Sequence, residues 1–143
     1  MTEFKSGKEM EQYIVKNPLV ESKYPPHRPR LFFESKKYFP QINVTISYTY
    51  INQPIKMESV HTHDFGQFLC IIGTPEDVRA FDGEVEIYLG EESTRNIINK
   101  TSVVYIPQGL VHGPIIWKRV GKPIMLLNVS LSSEYSKKEI KAS

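Results

Sequence analysis

The sequence lacks the features that would place it outside the class of small soluble proteins. Cys70 is the single cysteine among 143 residues, so no internal disulfide can form, and this favours a reducing compartment. No apolar run approaches the ~20 residues of a membrane-spanning helix, and the first residues lack a secretory hydrophobic segment. We therefore expect a cytoplasmic protein that does not bind membranes.

An excess of charge of either sign is also missing. The 18 basic and 16 acidic residues are spread along the chain and give a formal net charge of +2. Neither a basic stripe for nucleic acid nor an acidic tail is visible, so we expect no nucleic-acid partner. A chain of this length suits one domain that buries enough surface to fold without a disulfide or a structural metal.

The N-terminal segment is predicted to lie outside the main body. Ser6-Gly7-Lys8-Glu9 has the spacing of a capping box and is followed by apolar residues at helical intervals, which predicts a short amphipathic helix over 7–16. Four prolines over 18–30 are expected to exclude helix and ladder pairing alike, which predicts an extended arm. The predicted division is a helix and Pro-rich arm over 1–30, a β-barrel over 31–131 and a mobile or weakly helical tail over 132–143.

The body of the chain has the pattern of β strands. Over 44–50, apolar and aromatic side chains, among them Tyr48 and Tyr50, alternate with Thr and Ser, so we expect the former on a buried face. Residues 84–89 alternate in the same way. Further β-rich stretches lie at 31–33, 68–72, 102–106, 111–117 and 124–131. This pattern is typical of an all-β barrel or sandwich.

Three of the four histidines fall in two short segments. His61 and His63 lie two positions apart in a β-rich run over 60–70, so on a continuous strand they point to the same side. Gln67 is an even number of positions from both histidines, so on the same strand its side chain points to the same side. Two imidazoles and a carboxamide on one interior wall form a candidate metal site.

The second segment ends in a histidine. Pro107 and Gly109 favour a tight turn, which delivers His112 at the start of the next strand. Such a turn can bring His112 to the first pair of histidines.

The two segments resemble the two sequence motifs of the cupin family. His61-x-His63 with a polar residue four positions on resembles the first motif, and Pro107-x-Gly109-x-x-His112 resembles the second. The resemblance covers about residues 40–131 and implies a double-stranded β-helix, the jelly-roll barrel of cupins. It also implies one divalent metal held by His61, His63, Gln67 and His112, with Gln67 in place of the usual glutamate.

Several assignments remain open from the sequence. Gln67 is either a ligand or an amide that contacts the ligands or the substrate, which would leave a three-histidine site. Asp64 and Glu86 are rival oxygen ligands. No catalytic residue is assigned. The candidate pocket residues are the aromatic side chains Tyr48, Tyr50, Phe65, Tyr105 and Trp117.

The ligand set indicates the kind of chemistry. Neutral imidazoles and a carboxamide bring no negative charge, so a bound ion keeps its full charge and acts as a strong electrophile toward anionic oxygens. The metal is a divalent transition ion, Fe, Ni, Zn, Co, Cu or Mn, whose identity the sequence does not specify. Our leading interpretation is an enzyme that uses the metal as a Lewis acid on a small, oxygen-rich anion. The resemblance to metal-dependent cupin isomerases and lyases implies a reaction of the lyase or isomerase type.

Two other functions and an oligomeric state are also predicted. An open, mostly histidine site also suits an Fe(II)-dependent dioxygenase. A third possibility is a non-catalytic cupin that binds or senses a small ligand. The Pro-rich arm and the apolar stretch 31–33 suit the addition of a strand to a second barrel, which predicts a homodimer.

Overall fold

β strands are the main regular secondary structure of residues 9–140, the part of the chain that this computed structural model describes. The strands are β1 (Leu19–Val20), β2 (Arg30–Glu34), β3 (Thr45–Ile51), β4 (Ile55–Met57), β5 (His61–Thr62), β6 (Gln67–Ile72), β7 (Gly83–Leu89), β8 (Thr94–Ile98), β9 (Ser102–Ile106), β10 (His112–Val120), β11 (Ile124–Ser130) and β12 (Lys138–Glu139). Within residues 9–140, no helix is long and apolar enough to cross a bilayer.

The strands form two antiparallel sheets. The first sheet has the order β1-β2-β3-β11-β6-β9, and the second has the order β12-β5-β10-β7-β8 with β4 also paired to β10. Apolar side chains from both sheets meet in one core, with Ile71 and Ile124 from the first sheet and Val85, Ile87 and Trp117 from the second. This architecture is the predicted all-β jelly-roll barrel.

The N-terminal helix is much shorter than predicted within the described residues. The capping-box residues 6–8 and the first residues of the predicted helix lie outside the described part of the chain. Within residues 9–16 the structure has a 3-10 turn at Glu11–Tyr13. Another 3-10 turn, Ser35–Lys37, follows β2. Tyr13 and Ile14 are mostly exposed, so no apolar face is buried that would stabilise a longer helix.

The Pro-rich arm forms a strand that we did not expect. β1 pairs with β2 in the same chain, and the carbonyl of Pro18 accepts a hydrogen bond from the Phe32 amide. The prediction that the prolines exclude ladder pairing is wrong at Leu19–Val20. The reason is that proline lacks an N–H donor but keeps its carbonyl acceptor.

Residues 132–140 of the C-terminal tail are also ordered on the barrel, contrary to the prediction of a mobile or weakly helical segment. Strand β12 pairs with β5, and the Ile140 amide donates to the carbonyl of Val60. Earlier in the tail, the Tyr135 amide donates to a carboxylate oxygen of Glu34 at 2.9 Å. The division at 30/31 and 131/132 stays a prediction, although both flanking segments contribute strands to the two sheets.

Strand β3 has the opposite orientation to the one we predicted. Thr45, Thr49 and Ile51 are buried, whereas Tyr48 is 37% exposed and lies on the outer face. Large apolar side chains were expected inside because cores prefer them. At Thr45 and Thr49 the inner face of β3 carries small hydroxyl side chains because it borders a cavity there, whereas Ile51 on the same face packs in the core.

Candidate metal centre

Three histidines converge at one end of the barrel. His61 begins β5 and His112 begins β10, and these two residues are direct partners across the antiparallel pair β5–β10. His63 lies just beyond β5. The candidate ligand atoms of the three residues lie within 4.8 Å of one another, and all three side chains are buried.

The first histidine pair is not held by a continuous strand. Strand β5 ends at Thr62, and after a bend the chain enters β6 at Gln67, which belongs to the other sheet. The predicted single strand over 60–70 is therefore wrong, although His61 and His63 still face the same cluster. Phe65, in the bend, stacks on the His63 ring with 4.7 Å between centroids.

The turn before β10 ties the two histidine segments together. The Leu110 amide donates to the Pro107 carbonyl at 3.1 Å, which closes the turn, and the Gly109 amide donates to the His63 carbonyl at 3.0 Å. Gly109 has a φ of +83°, a conformation that suits glycine. The predicted turn at Pro107 and Gly109 is confirmed.

Gly113 allows strand β10 to approach the first histidine segment closely. Its φ is +100°, and a Cβ atom at this position would overlap the carbonyl oxygen of Ser59. That same carbonyl lies 2.6 Å from Nδ1 of His61. A side chain at residue 113 would therefore displace the group that orients His61.

Each histidine is oriented through its Nδ1 atom. Nδ1 lies 2.6 Å from the Ser59 carbonyl in His61, 2.7 Å from the Ser136 carbonyl in His63 and 2.8 Å from the Leu110 carbonyl in His112. A carbonyl oxygen only accepts, so Nδ1 carries the hydrogen and Nε2 presents its lone pair.

The free Nε2 atoms are what a metal requires. Nε2 of His63 and Nε2 of His112 are buried and have no hydrogen-bond partner, which is costly unless a ligand or ion satisfies them. Backbone carbonyls that fix the Nδ1–H tautomer are also the usual partners of metal-bound histidine. The three residues therefore fit a divalent ion.

Burial also keeps the three imidazoles neutral. Loss of solvation lowers the pKa of His61, His63 and His112, and the neighbouring imidazoles lower it further. The backbone hydrogen bonds oppose this effect only in part. The three imidazoles are thus neutral donors that bring no negative charge to a bound ion.

Gln67 lies on the wall beside this cluster. It is buried and borders a small cavity together with His61 and His112. Its Nε2 donates to Oδ1 of Asn128 at 3.1 Å and to Oγ of Ser130 at 3.2 Å. These bonds occupy the amide nitrogen and leave the carbonyl oxygen Oε1 as the atom that can bind a metal or substrate. Ligation by Gln67 stays a prediction.

The rival oxygen ligands lie elsewhere. Asp64 is exposed and does not join the histidine cluster. Glu86 is buried on the outer side of β7, where its carboxylate lies 3.4 Å from Lys118 Nζ and 3.7 Å from a guanidinium nitrogen of Arg95. Neither carboxylate contributes to the candidate metal centre.

Two cavities lie beside the histidines, and the aromatic residues predicted for the pocket line neither of them. Tyr48 and Tyr105 are exposed on the outer face of the first sheet, and Tyr50 lies beneath the guanidinium of Arg28, 4.3 Å away. Trp117 is fully buried in the core. These predictions are wrong, because β3 is oriented oppositely and Trp117 packs between the sheets. Phe65 supports His63 but does not line a cavity.

Two adjoining cavities open beside the histidines. The smaller, of about 30 Å³, contains His61, Gln67 and His112 in its wall. The larger, of about 180 Å³, extends toward β2 and β3. The two cavities share one wall, and we call it the shared wall. It is formed by Met57, Glu58, Leu126, Asn128 and Tyr135.

Sequence analysis missed an ion pair between Glu58 of the shared wall and Lys137, which lines the larger cavity. Glu58 Oε2 lies 2.7 Å from Lys137 Nζ, and each side chain is about a quarter exposed. Burial raises the pKa of Glu58, but the hydrogen bond and charge of Lys137 outweigh this effect and lower it overall. The position of Glu58 three residues before His61 was an available signal. Lys137 offered none, because its contact spans 79 residues.

Tyr135 closes the wall from the C-terminal tail. Its ring lies 5.2 Å from that of His63, and burial raises the pKa of its hydroxyl well above the usual value. The hydroxyl is therefore a neutral hydrogen-bond donor at physiological pH. Sequence reasoning missed this residue because it treated the tail as detached.

Solved structures share this fold at low sequence identity. An oxalate oxidase superposes with a TM-score of 0.59 and 9% identity, covering 89% of this chain and 62% of its own. The polyketide cyclase RemF from Streptomyces resistomycificus gives 0.59 and 10%, covering 91% and 85%. Bacillus subtilis oxalate decarboxylase, which has Mn(II) centres, gives 0.55 and 14%, covering 78% and 28%.

These comparisons show the fold of the chain. The chain spans less than two thirds of the oxalate oxidase and just over a quarter of the oxalate decarboxylase. No protein-family model and no curated protein matches the sequence. The chain has the cupin fold, and its two histidine motifs form the three-histidine cluster that can hold a metal ion.

Proposed function

We propose that this chain is a metal-dependent cupin enzyme that acts on a small, oxygen-rich anion, in a reaction of the isomerase or lyase type. The observation that carries the proposal is the histidine cluster, in which three Nδ1–H tautomers are fixed by backbone carbonyls. Two buried Nε2 atoms there have no other partner. When bound, a divalent metal would supply positive charge that polarises a carbonyl or carboxylate oxygen.

The residues of the shared wall support a role in binding and proton transfer. The Glu58 carboxylate is ionised at neutral pH, so it can accept a proton from a bound molecule. Its backbone has a φ of +66°, which is strained for a residue other than glycine and is common at functional sites. We assign Glu58 as the proton acceptor and Tyr135 as a neutral donor.

The wall also offers a ligand apolar sides and fixed polar groups. Met57 and Leu126 give both cavities apolar sides, while Asn128 is anchored by Gln67 and Ser130. A few fixed polar groups among apolar ones are typical of small-molecule sites.

Metal analysis of protein purified without added metal tests the proposal first. We expect about one transition-metal ion per chain and turnover of at least one member of a panel of hydroxy, oxo and sugar acids. Turnover should be lost with a chelator and restored with metal. The proposal would be contradicted by a metal-free protein that binds none of the divalent ions of Fe, Ni, Zn, Co, Cu and Mn when they are supplied.

The same experiment separates the alternative functions. Oxygen uptake by the iron-reconstituted protein in the presence of a dicarbonyl, aromatic or thiol substrate would indicate a dioxygenase. Tight binding of carboxylates by the metal-loaded protein without turnover of any panel member would indicate a binding or sensor protein.

A further inference from the structure

The larger cavity has an unequal distribution of charge. Three cationic side chains border it, Lys23, Arg30 and Lys137, against a single anionic one, Glu58. Glu58 is already hydrogen-bonded to Lys137. The positive charges of Lys23 and Arg30 therefore remain available to an incoming molecule, and they favour an anion in this cavity.

Arg30 is the better placed of these two groups. It is half-buried at the start of β2, and no carboxylate in the described part of the chain lies within ion-pair distance of its guanidinium. The guanidinium lies over the Phe32 ring, 5.1 Å away. Burial lowers the pKa of Arg30, and the charge of Glu58, which lies beyond ion-pair distance and is bonded to Lys137, opposes this effect only in part. A guanidinium that is removed from water without an anionic partner is costly, and its planar fork matches a carboxylate.

The strand next to that of Arg30 also gives this cavity a polar wall. Strand β3 turns Thr45, Ser47 and Thr49 toward it, the hydroxyl residues that replace the expected apolar face. Hydroxyl groups both donate and accept, so they suit an oxygen-rich molecule. The volume of about 180 Å³ lies below the ~300–1,000 Å³ of pockets for drug-sized ligands. The occupant is therefore small.

Arg30 and the histidines lie at different ends of the combined space. Arg30 borders the larger cavity but not the smaller one, where His61 and His112 lie. We propose that Arg30 binds a carboxylate at the end of the substrate distant from the metal. The natural ligand then carries an anionic group at one end and metal-binding oxygens at the other. This inference rests on the proposed function for the metal-bound end.

Calorimetric titration of the Zn(II)-loaded protein with dicarboxylates and their monoamides tests this assignment. The probes are malonate, succinate and glutarate, each paired with its monoamide, which has nearly the same shape and one charge fewer. We expect at least one dicarboxylate to bind tenfold or more tightly than its monoamide, since charge-assisted bidentate bonds are strong. In Arg30→Gln the ratio should fall below about threefold, and Arg30→Lys should restore part of it.

Arg28→Gln is the matched control. Arg28 is an exposed arginine two positions away that packs on Tyr50 and does not border the cavity, so this variant should keep the wild-type ratio. Circular dichroism and bound zinc are measured for every protein. An unchanged ratio in a folded, zinc-loaded Arg30→Gln protein would overturn the inference, as would failure of the wild type to favour any dicarboxylate.

Failure of the proposed function would give a different experimental result. A wild-type protein that takes up no zinc would contradict the metal centre. The anion site would still be supported if the metal-free protein bound succinate and lost that binding in Arg30→Gln but not in Arg28→Gln.

Discussion

Nδ1 of His63 lies 2.7 Å from the carbonyl oxygen of Ser136, a residue 73 positions further along the chain. This bond joins the C-terminal tail to the candidate metal centre and fixes the tautomer of His63. The tail is held nearby by the pairing of β12 with β5 and by the ion pair of Lys137 with Glu58. The tail is thus part of the site.

Removal of residues 135–143 should weaken metal binding while leaving the barrel folded. The His63 ring loses the acceptor that orients it, and loss of such a partner typically costs about 10–100-fold in metal affinity. Competition with a chromophoric chelator measures the affinity, and circular dichroism reports the fold. Ser136→Ala is the control, because the bond uses the backbone carbonyl and should survive. Equal metal affinity in the shortened and full chains would contradict the role of the tail.

The histidines themselves should be required for metal but not for folding. We expect His61→Ala, His63→Ala and His112→Ala each to reduce bound metal to less than about a tenth, with cooperative unfolding retained, because a core of this size does not depend on an ion. His27→Ala is the control, since His27 is exposed in the arm. If all three variants were unfolded and His27→Ala were not, the ion would have a structural role.

The parts of the site that sequence predicted are those encoded by short-range spacing. His-x-His and Pro-x-Gly-x-x-His each fix their own local geometry, and the close approach of His61 and His112 follows from one antiparallel strand pair. The contacts that were missed, those of Tyr135 and Lys137, join segments far apart in the chain. Local periodicity carries no information about such contacts.

The error on β3 has a different physical cause. Alternation shows that a strand has two faces, but hydrophobicity identifies the inner face only where that face packs in a core. Thr45 and Thr49 are buried on the cavity side, so polarity there reflects a ligand space. Sequences with small hydroxyl residues alternating with aromatics near a metal motif should be examined for this arrangement.

Acid should destabilise the metal-free protein. Burial lowers the pKa of His61, His63 and His112 in the folded state, whereas the unfolded chain titrates near about 6.5. Below that pH the unfolded state binds more protons, so the free energy of unfolding is highest above about pH 6.5 and falls as the pH decreases. Urea unfolding at several pH values measures this slope.

The metal-loaded protein should respond in the same direction. Ligation requires neutral imidazole, so bound metal should be released as the pH falls below about 6. For the urea experiment on the metal-free protein, the control is the variant in which His61, His63 and His112 are all changed to Gln. Its free energy of unfolding should depend less on pH. A metal content that stays stoichiometric well below that pH would argue against three-histidine ligation.

The sequence predicts a homodimer in which the arm and the apolar stretch 31–33 add a strand to a second barrel. We now propose the outer face of the first sheet as the interface of that dimer. In the structure the arm pairs with its own barrel, so a strand need not be exchanged. Val103 and Tyr105 are 65% and 54% exposed on edge strand β9, beside Phe68, whose ring lies 5.1 Å from that of Tyr105. An apolar face of this kind often marks an interface between subunits.

Sedimentation at tens of micromolar should show a dimer for the wild type. Val103→Arg should shift it toward a monomer, because a buried charge without a partner opposes association. Val78→Arg, at an exposed valine outside the strands, is the control and should remain dimeric. A wild-type monomer under these conditions would refute the prediction.

Gln67→Glu should affect metal binding and anion binding in opposite directions. The substitution keeps the shape and adds a negative charge to the wall that contains His61 and His112. A carboxylate is a stronger ligand for a divalent cation than an amide, so metal affinity should rise. The remaining positive charge falls, so affinity for a small carboxylate should drop. Each change is expected to be about tenfold or more, since a full charge at ligand distance is worth several kcal/mol.

The hydrogen bonds of Gln67 provide the control for this experiment. Its amide now donates to Asn128 and Ser130, so the new carboxylate requires the Asn128 amide to turn and donate through Nδ2. Asn128→Asp adds the same charge to the same wall, but at the neighbouring residue. If Gln67 is a ligand, Gln67→Glu should tighten the metal more than Asn128→Asp, while both weaken carboxylate binding. If Gln67→Glu changes neither affinity, Gln67 does not touch the metal and the centre has three histidine ligands.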